Sequence, residues 1–173
     1  KKKFKNNKND ILLFNIFSFI YLSLFVLVGY DLYSSPPLDL LFILLICMFS
    51  DTGGYIIGNL VGGRKLTSIS PKKTVSGSIG SFLFSIVPVF AFSSIYNQTE
   101  NLILYSENLT LLIATCLFLS LICQLGDLFI SYYKRQANVK DTGSLLPGHG
   151  GLLDRIDGII FVLPAAFIID KLF

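Results

Sequence analysis

The sequence predicts an all-α, polytopic transmembrane bundle of about five spans with its N-terminus in the cytoplasm, and three observations carry that prediction. First, 53% of the 173 residues are apolar or Tyr/Cys and 14% are charged, against roughly 25% charged in an ordinary soluble domain. A soluble fold of this length needs more polar surface to cover its core, and a disordered chain does not carry 16 Phe. Second, mean hydropathy is +0.67, and several apolar runs approach the ~20 residues that cross a bilayer. Third, the basic residues gather in alternate connections, as cytoplasmic loops do.

The first expected span is Ile11 to Tyr30, preceded by Lys1, Lys2, Lys3, Lys5 and Lys8. It is too long for a signal-peptide core and lacks a small-residue cleavage site. Four more follow: Leu38 to Val61, Ile79 to Ile95, Leu109 to Ile130, and Gly158 to Ile169 or the end. Arg64, Lys65, Lys72 and Lys73 fall between the second and third, and Lys134, Arg135, Lys140 and Arg155 between the fourth and fifth. The other two connections, Asp31 to Asp39 and Tyr96 to Asn108, contain neither Lys nor Arg. This asymmetry places the Lys/Arg-bearing loops in the cytoplasm. Cys47, Cys116 and Cys123 all lie in apolar runs and read as small buried hydrophobes rather than a disulfide or zinc framework. Without repeats or a long linker, residues 1–173 read as a single membrane-embedded domain.

Both inner loops are rich in Gly, Ser, Lys and Asp, which neither favours helix nor suits a lipid-facing surface. The first contains Gly58, Gly62, Gly63, Arg64 and Lys65, then Ser70-Pro71-Lys72-Lys73-Thr74-Val75-Ser76-Gly77. Glycines let backbone N–H groups approach phosphate, and the cations add charge-assisted bonds. A phosphate-binding P-loop is excluded, because Gly63 is followed by Arg64 and not Lys. Positive-inside topology alone also accounts for these cations. The second loop carries more: Asp127, Ser131, Lys134-Arg135, Lys140-Asp141-Thr142-Gly143, Pro147-Gly148-His149-Gly150-Gly151 and Asp154-Arg155-Ile156-Asp157. Asp154 and Asp157, three apart, share a face if a helix begins there. Mg²⁺ typically takes one or two carboxylates and completes its shell with water and substrate phosphates. Helix capping is the alternative reading of the same two residues.

Over Ser131 to Asp157 the chain resembles the phosphatidate cytidylyltransferases, also called CDP-diacylglycerol synthases. Their signature has Ser, Lys-Arg, Lys-Asp, a small residue, Leu-Pro, His-Gly-Gly and Asp-Arg-x-Asp, and every polar position is filled here. Asp51 with Tyr55 and Gly58, and Ser70-Pro71-Lys72-Lys73-Thr74, resemble the family's other conserved stretch. Tyr133 replaces an aliphatic, and Ser76 stands where many members carry Glu. Family members are usually longer, with further N-terminal spans that a chain of this length would lack. The resemblance implies transfer of CMP from CTP to phosphatidate at the inner membrane face, with Mg²⁺ as cofactor, the bilayer as setting and a homodimer as a candidate assembly; no nucleic acid is expected. It also implies roles. Asp127, Asp154, Asp157, Lys140 and Asp141 are the catalytic candidates; Asp127, Asp154 and Asp157, with Asp51 as a weaker fourth, are the metal ligands. Ser70, Lys72, Lys73, Thr74, Ser131, Lys134, Arg135, His149, Gly150, Gly151 and Arg155 are the substrate contacts.

Other readings fit less well. Asp154-Arg155-Ile156-Asp157-Gly158 opens like the CDP-alcohol phosphotransferase motif, but Phe161-Val162 stand where that motif needs Ala-Arg. Asp51-Thr52-Gly53 and Asp141-Thr142-Gly143 look like aspartic-protease tripeptides, yet neither lies in strand-rich sequence. A transporter should gather its polar groups at the bilayer midplane, whereas here they gather in inner loops. Another lipid phosphate, such as an isoprenoid phosphate, would suit the same apparatus.

Overall fold

A computed structural model describes residues 8–34, 37–67, 69–96, 108–139, 141–143 and 151–172. The described chain is helical, in the order α1 (Lys8–Ser34), α2 (Pro37–Val61), α3 (Val75–Phe84), α4 (Val87–Tyr96), α5 (Leu109–Gln136), α6 (Leu153–Ile156) and α7 (Ile159–Leu172). Four segments are long and apolar enough to cross a membrane: Asn15–Ser34, Leu38–Val61, Val75–Phe92 and Leu109–Gln136. The fifth expected span is the 14-residue α7, roughly 21 Å long at about 1.5 Å per residue. It is shorter than a ~30 Å hydrocarbon core, yet Ile160, Val162, Leu163 and Ala166 make it part of the buried centre.

That centre follows from spacing. On α5 the buried Leu112, Cys116, Leu119 and Cys123 recur every three to four residues, the repeat of a packed helical seam. They meet Phe42, Ile43, Ile46 and Cys47 of α2, Val89 and Phe92 of α4, and the buried side of α7. All three cysteines are free and buried. Ser50 and Ser120 bridge α2 and α5 through their hydroxyls at 2.8 Å, a polar contact of the kind that joins helices in lipid. The opposite side of α1, with Phe17, Phe19, Ile20, Val26 and Leu27, is exposed.

Two prolines shape the bundle. Pro88 has no N–H, and its ring would clash with the carbonyl of Phe84, where α3 ends, so the third span is broken between α3 and α4. Pro164 lies inside α7 and removes the bond that the Ile160 carbonyl would accept. The Tyr21 hydroxyl of α1 donates to that carbonyl at 3.1 Å. Tyr21 thereby satisfies in lipid a backbone group that would otherwise be orphaned.

Three expected boundaries shift, each for a local reason. The third span begins at Val75, inside the Gly/Ser stretch read as loop, because the Thr74 hydroxyl caps α3 by accepting from Gly77 N at 3.1 Å. Its small residues also let α3 lie almost on the backbone of α2: a Cβ at Gly80 would sit 2.7 Å from the Gly53 carbonyl. Such contacts compensate for poor helix propensity in lipid. The fourth span continues past Ile130 to Gln136 and carries Lys134 and Arg135 in its last turn, where cations favour the helix dipole. Ser131 to Arg135, beyond the expected end of that span, are therefore helix. The fifth is preceded by α6, so Asp154 sits in a separate short turn and Asp157 closes it.

Candidate active site

The face of α5 nearest the connection between α2 and α3 carries Ser120, Gln124, Asp127, Ser131 and Lys134, spaced four, three, four and three residues apart. This spacing is one helical stripe. Opposite it, the chain leaves α2 through Gly62 and Gly63, whose φ of 62° and 103° favour glycine. It returns as a small antiparallel turn: Leu66 N donates to Lys73 O at 2.8 Å and Val75 N to Arg64 O at 3.0 Å. Ser76 donates its hydroxyl to Gly62 O and so ties the end of α2 to the start of α3. The turn carries Lys73 to an ion pair with Asp127. Ser131 Oγ donates to Asp127 Oδ1 at 3.4 Å.

The second cation, Lys134, faces two carboxylates. Its Nζ lies 3.0 Å from Asp154 Oδ1 and 3.9 Å from Asp157 Oδ2, and all three side chains are less than a fifth exposed. Asp154 does more than pair. Its Oδ2 accepts from Thr142 N at 2.8 Å and from Gly151 N at 2.9 Å, so it clasps both ends of the segment that holds residues 144–150. Gly151 is required there, since a Cβ would lie 2.5 Å from Thr142 Oγ1. Burial pulls the Asp154 pKa up, but the bonds from Thr142 N–H, Lys134 and Gly151 N–H outweigh it and hold the carboxyl below the usual carboxylate range. Asp157 is the reverse case. Burial first, and then the neighbouring Asp127 charge, push it up to about 7 against the opposing pull of Lys134. Asp51, on α2, shares a cavity lining with Lys73 and Asp127, and Cys123 Sγ lies 3.9 Å from its Oδ1.

Thus Asp51, Asp127, Asp157, Lys73 and Lys134 converge from four separate stretches of chain. Asp154 adjoins them with both oxygens already accepting hydrogen bonds. Among the described residues no three His, Cys, Asp or Glu side chains form a ready-made ion cage. The donor set still suits Mg²⁺, which needs one or two carboxylates and leaves the rest to water and phosphate; Asp127 and Asp157 meet that need. Ser70 and Thr74 shape the turn through Lys73 N to Ser70 O at 3.1 Å and the α3 cap. Lys72 is exposed at the rim of a cavity. Arg135 is exposed and donates to Val139 O at 3.3 Å. Asp141 and Arg155 are exposed as well. Lys140, His149 and Gly150 lie outside the described residues.

That cavity, about 250 Å³, is lined by α2, the turn, α3 and α5, with Ser78, Ser81 and Gln124 beside the charged residues. Sequence reasoning missed these three. The signal for Gln124 was its place in the α5 stripe, three residues before Asp127 in an apolar run.

Fold and site together define an integral membrane protein with paired cations and carboxylates at one end of its bundle, a composition suited to phosphate chemistry. A sequence model of the cytidylyltransferase family matches residues 2–173, and the chain belongs to that family. It is 38% identical over 152 residues to a phosphatidate cytidylyltransferase of Staphylococcus aureus (strain COL), which covers 87% of this chain and 56% of the relative. It is 40% identical over 152 residues to the phosphatidate cytidylyltransferase of Staphylococcus epidermidis (strain ATCC 12228), with the same coverage. For that of Staphylococcus haemolyticus (strain JCSC1435) the identity is 43% over 127 residues, 72% of this chain and 46% of the relative. The chain spans about half the length of the curated relatives it matches.

Proposed function

We propose that this protein transfers CMP from CTP to phosphatidate, giving CDP-diacylglycerol and pyrophosphate, at the cytoplasmic face of the membrane and with Mg²⁺. The observation that carries the reading is the meeting of Lys73 and Lys134, 61 positions apart in the sequence, on the neighbouring carboxylates Asp127 and Asp157. Two polyanions must be brought together, and alternating cations and cation-binding carboxylates are what that requires.

A phosphate monoester has its second pKa near ~6, so phosphatidate presents an anionic oxygen at neutral pH and no general base is needed. That oxygen attacks the α-phosphorus of CTP. The bond from the α-phosphorus to the bridging oxygen breaks, and the electron pair leaves with pyrophosphate. Asp127 and Asp157 would hold the magnesium ion, with Asp51 as a further ligand; the ion, when bound, neutralises phosphate charge. Lys72 and Lys73 approach from the turn, and Lys134 keeps Asp154 and Asp157 in place. Asp154 holds Thr142 and Gly151 together through their backbone N–H groups. The cytoplasmic orientation is supported by the distribution of Lys and Arg between connections.

The test is incubation of purified protein with CTP, Mg²⁺ and phosphatidate. The expected result is CDP-diacylglycerol and pyrophosphate in equal amounts; pyrophosphate without lipid product would point to hydrolysis and overturn the proposal.

A further inference from the structure

Beside the charged residues runs a chain of uncharged hydrogen bonds that crosses three helices. Ser78 Oγ of α3 donates to Gln124 Oε1 of α5 at 2.6 Å, and Gln124 Nε2 donates to Ser120 Oγ at 3.4 Å. Ser120 Oγ in turn meets Ser50 Oγ of α2 at 2.8 Å. Ser50 and Ser120 are fully buried and Gln124 is half-buried. A Gln amide suits the middle of such a chain, because its oxygen accepts from one helix while its nitrogen donates toward another. Links of this kind set how helices meet in lipid, where apolar surface alone gives them no reason to associate.

Each link stands next to a charged residue of the site. Ser50 immediately precedes Asp51. Gln124 lies three residues before Asp127 on the same stripe of α5. Ser78 N donates to Thr74 O at 3.1 Å in the first turn of α3, and Thr74 follows Lys73, the cation that pairs with Asp127. The ion pair and the Ser78–Gln124 bond therefore join the same two stretches of chain. They are not equal partners. Lys73 is a long side chain on a turn, 29% exposed, and an ion pair open to solvent fixes position poorly. The Ser78–Gln124 bond joins helices that are tied elsewhere as well. A Cβ at Gly77 of α3 would lie 2.8 Å from Gly54 O of α2, and α2 is bound to α5 through Ser50 and Ser120.

We propose that Gln124 is a positioning residue: by accepting from Ser78 it holds α3 in register on α5, and so places Lys73 against Asp127. The proposal deepens the cytidylyl-transfer reading and rests on it for the rates measured. Gln124→Met keeps the length of the side chain and removes both bonds, and Ser78→Ala removes the partner alone. With CTP, phosphatidate and Mg²⁺ in mixed micelles, each should lower kcat about 10- to 100-fold, the loss that a small misplacement produces, with both KM values little changed. The double variant should be no slower than Gln124→Met alone, because the two changes break one link. In a Lys73→Met background, Gln124→Met should have little further effect. A general loss of stability would instead lower the rate by the same factor in both backgrounds. Equal factors in the two backgrounds overturn the proposal. So does a raised KM with kcat unchanged, which would make Gln124 a substrate contact, and so does no change at all.

A second readout needs no turnover: acetylation of Lys73 by acetic anhydride, followed by mass spectrometry with Lys134 as the reference in the same molecule. Loss of the pairing should speed acetylation of Lys73 about threefold or more and leave Lys134 unchanged. Should the unaltered protein make no CDP-lipid, the transfer reading fails and acetylation still decides. Faster modification of Lys73 in both Gln124→Met and Ser78→Ala sustains the positioning role, and an unchanged rate removes it.

Discussion

Replacing Lys134 by Met keeps the length of the side chain and removes the charge that two carboxylates share. Lys134 Nζ is 3.0 Å from Asp154 and 3.9 Å from Asp157, and its side chain is 14% exposed. Loss of a hydrogen bond to a charged group costs about 1.5 to 3 kcal/mol. The Coulomb contribution at the longer distance is of order 4 kcal/mol at most, at an effective dielectric of about 20. Asp157 escapes most of that second cost. Burial and Asp127 already push its pKa up to about 7, so without the cation it takes up a proton instead of remaining charged. The net destabilisation at pH 7.5 is then about 2 to 3 kcal/mol, mostly from Asp154. The pH dependence has a definite sign. Lys134 lowers the pKa of Asp157, so its removal matters most where Asp157 is ionised, above about 7, and less as pH falls. Thermal unfolding in detergent at pH 8 and pH 5.5 measures this: the gap in Tm between the unaltered protein and Lys134→Met should narrow at the lower pH without closing. A gap of equal size at both values, or none, refutes the assigned geometry.

Asp157→Asn should cut lipid-product formation about 10²- to 10³-fold, yet at pH 8 its Tm should equal or exceed that of the unaltered protein. A carboxyl whose folded pKa is raised from 3.8 to about 7 destabilises the fold above that range and ceases to do so as pH falls through it. In the unaltered protein, the Mg²⁺ concentration for half-maximal activity should rise as pH falls below about 7, because a proton competes for Asp157. Tyr21→Phe leaves the Ile160 carbonyl without its 3.1 Å donor and should cost about 1 to 3 kcal/mol in unfolding measurements; a silent substitution would contradict the role given to Pro164. Cys introduced at Gln98 should be labelled from outside the cell and Cys at Ser144 after permeabilisation only, against a low background because the native cysteines are buried.

Much of this was legible in the sequence, and the rest fails for identifiable reasons. Hydropathy located the spans because lipid demands long apolar helices. It could not locate their ends near the site, where polar residues continue the helix: Thr74 caps a Gly/Ser stretch that pairs with glycines far earlier in the chain, Gly53, Gly54 and Gly58, and Lys134 and Arg135 finish α5 instead of leaving it. Asp127, Asp154 and Asp157 were identifiable as a group, but their separate surroundings were not. Whether a carboxylate is clasped by Thr142 and Gly151 or crowded by Asp127 depends on packing between distant segments. Gln124 and Ser81 carry no motif of their own, and only the meeting of α3 with α2 and α5 brings them to one cavity.

The most direct test of the central claim follows the phosphorus of CTP. Purified protein with phosphatidate and Mg²⁺ is given CTP labelled either at the α- or at the γ-phosphorus. In-line attack on the α-phosphorus predicts that the α-label appears in the lipid fraction, one per phosphatidate consumed, and that the γ-label appears in pyrophosphate alone. Lipid carrying the γ-label would mean phosphoryl transfer, and α-label confined to free CMP would mean hydrolysis; either contradicts cytidylyl transfer.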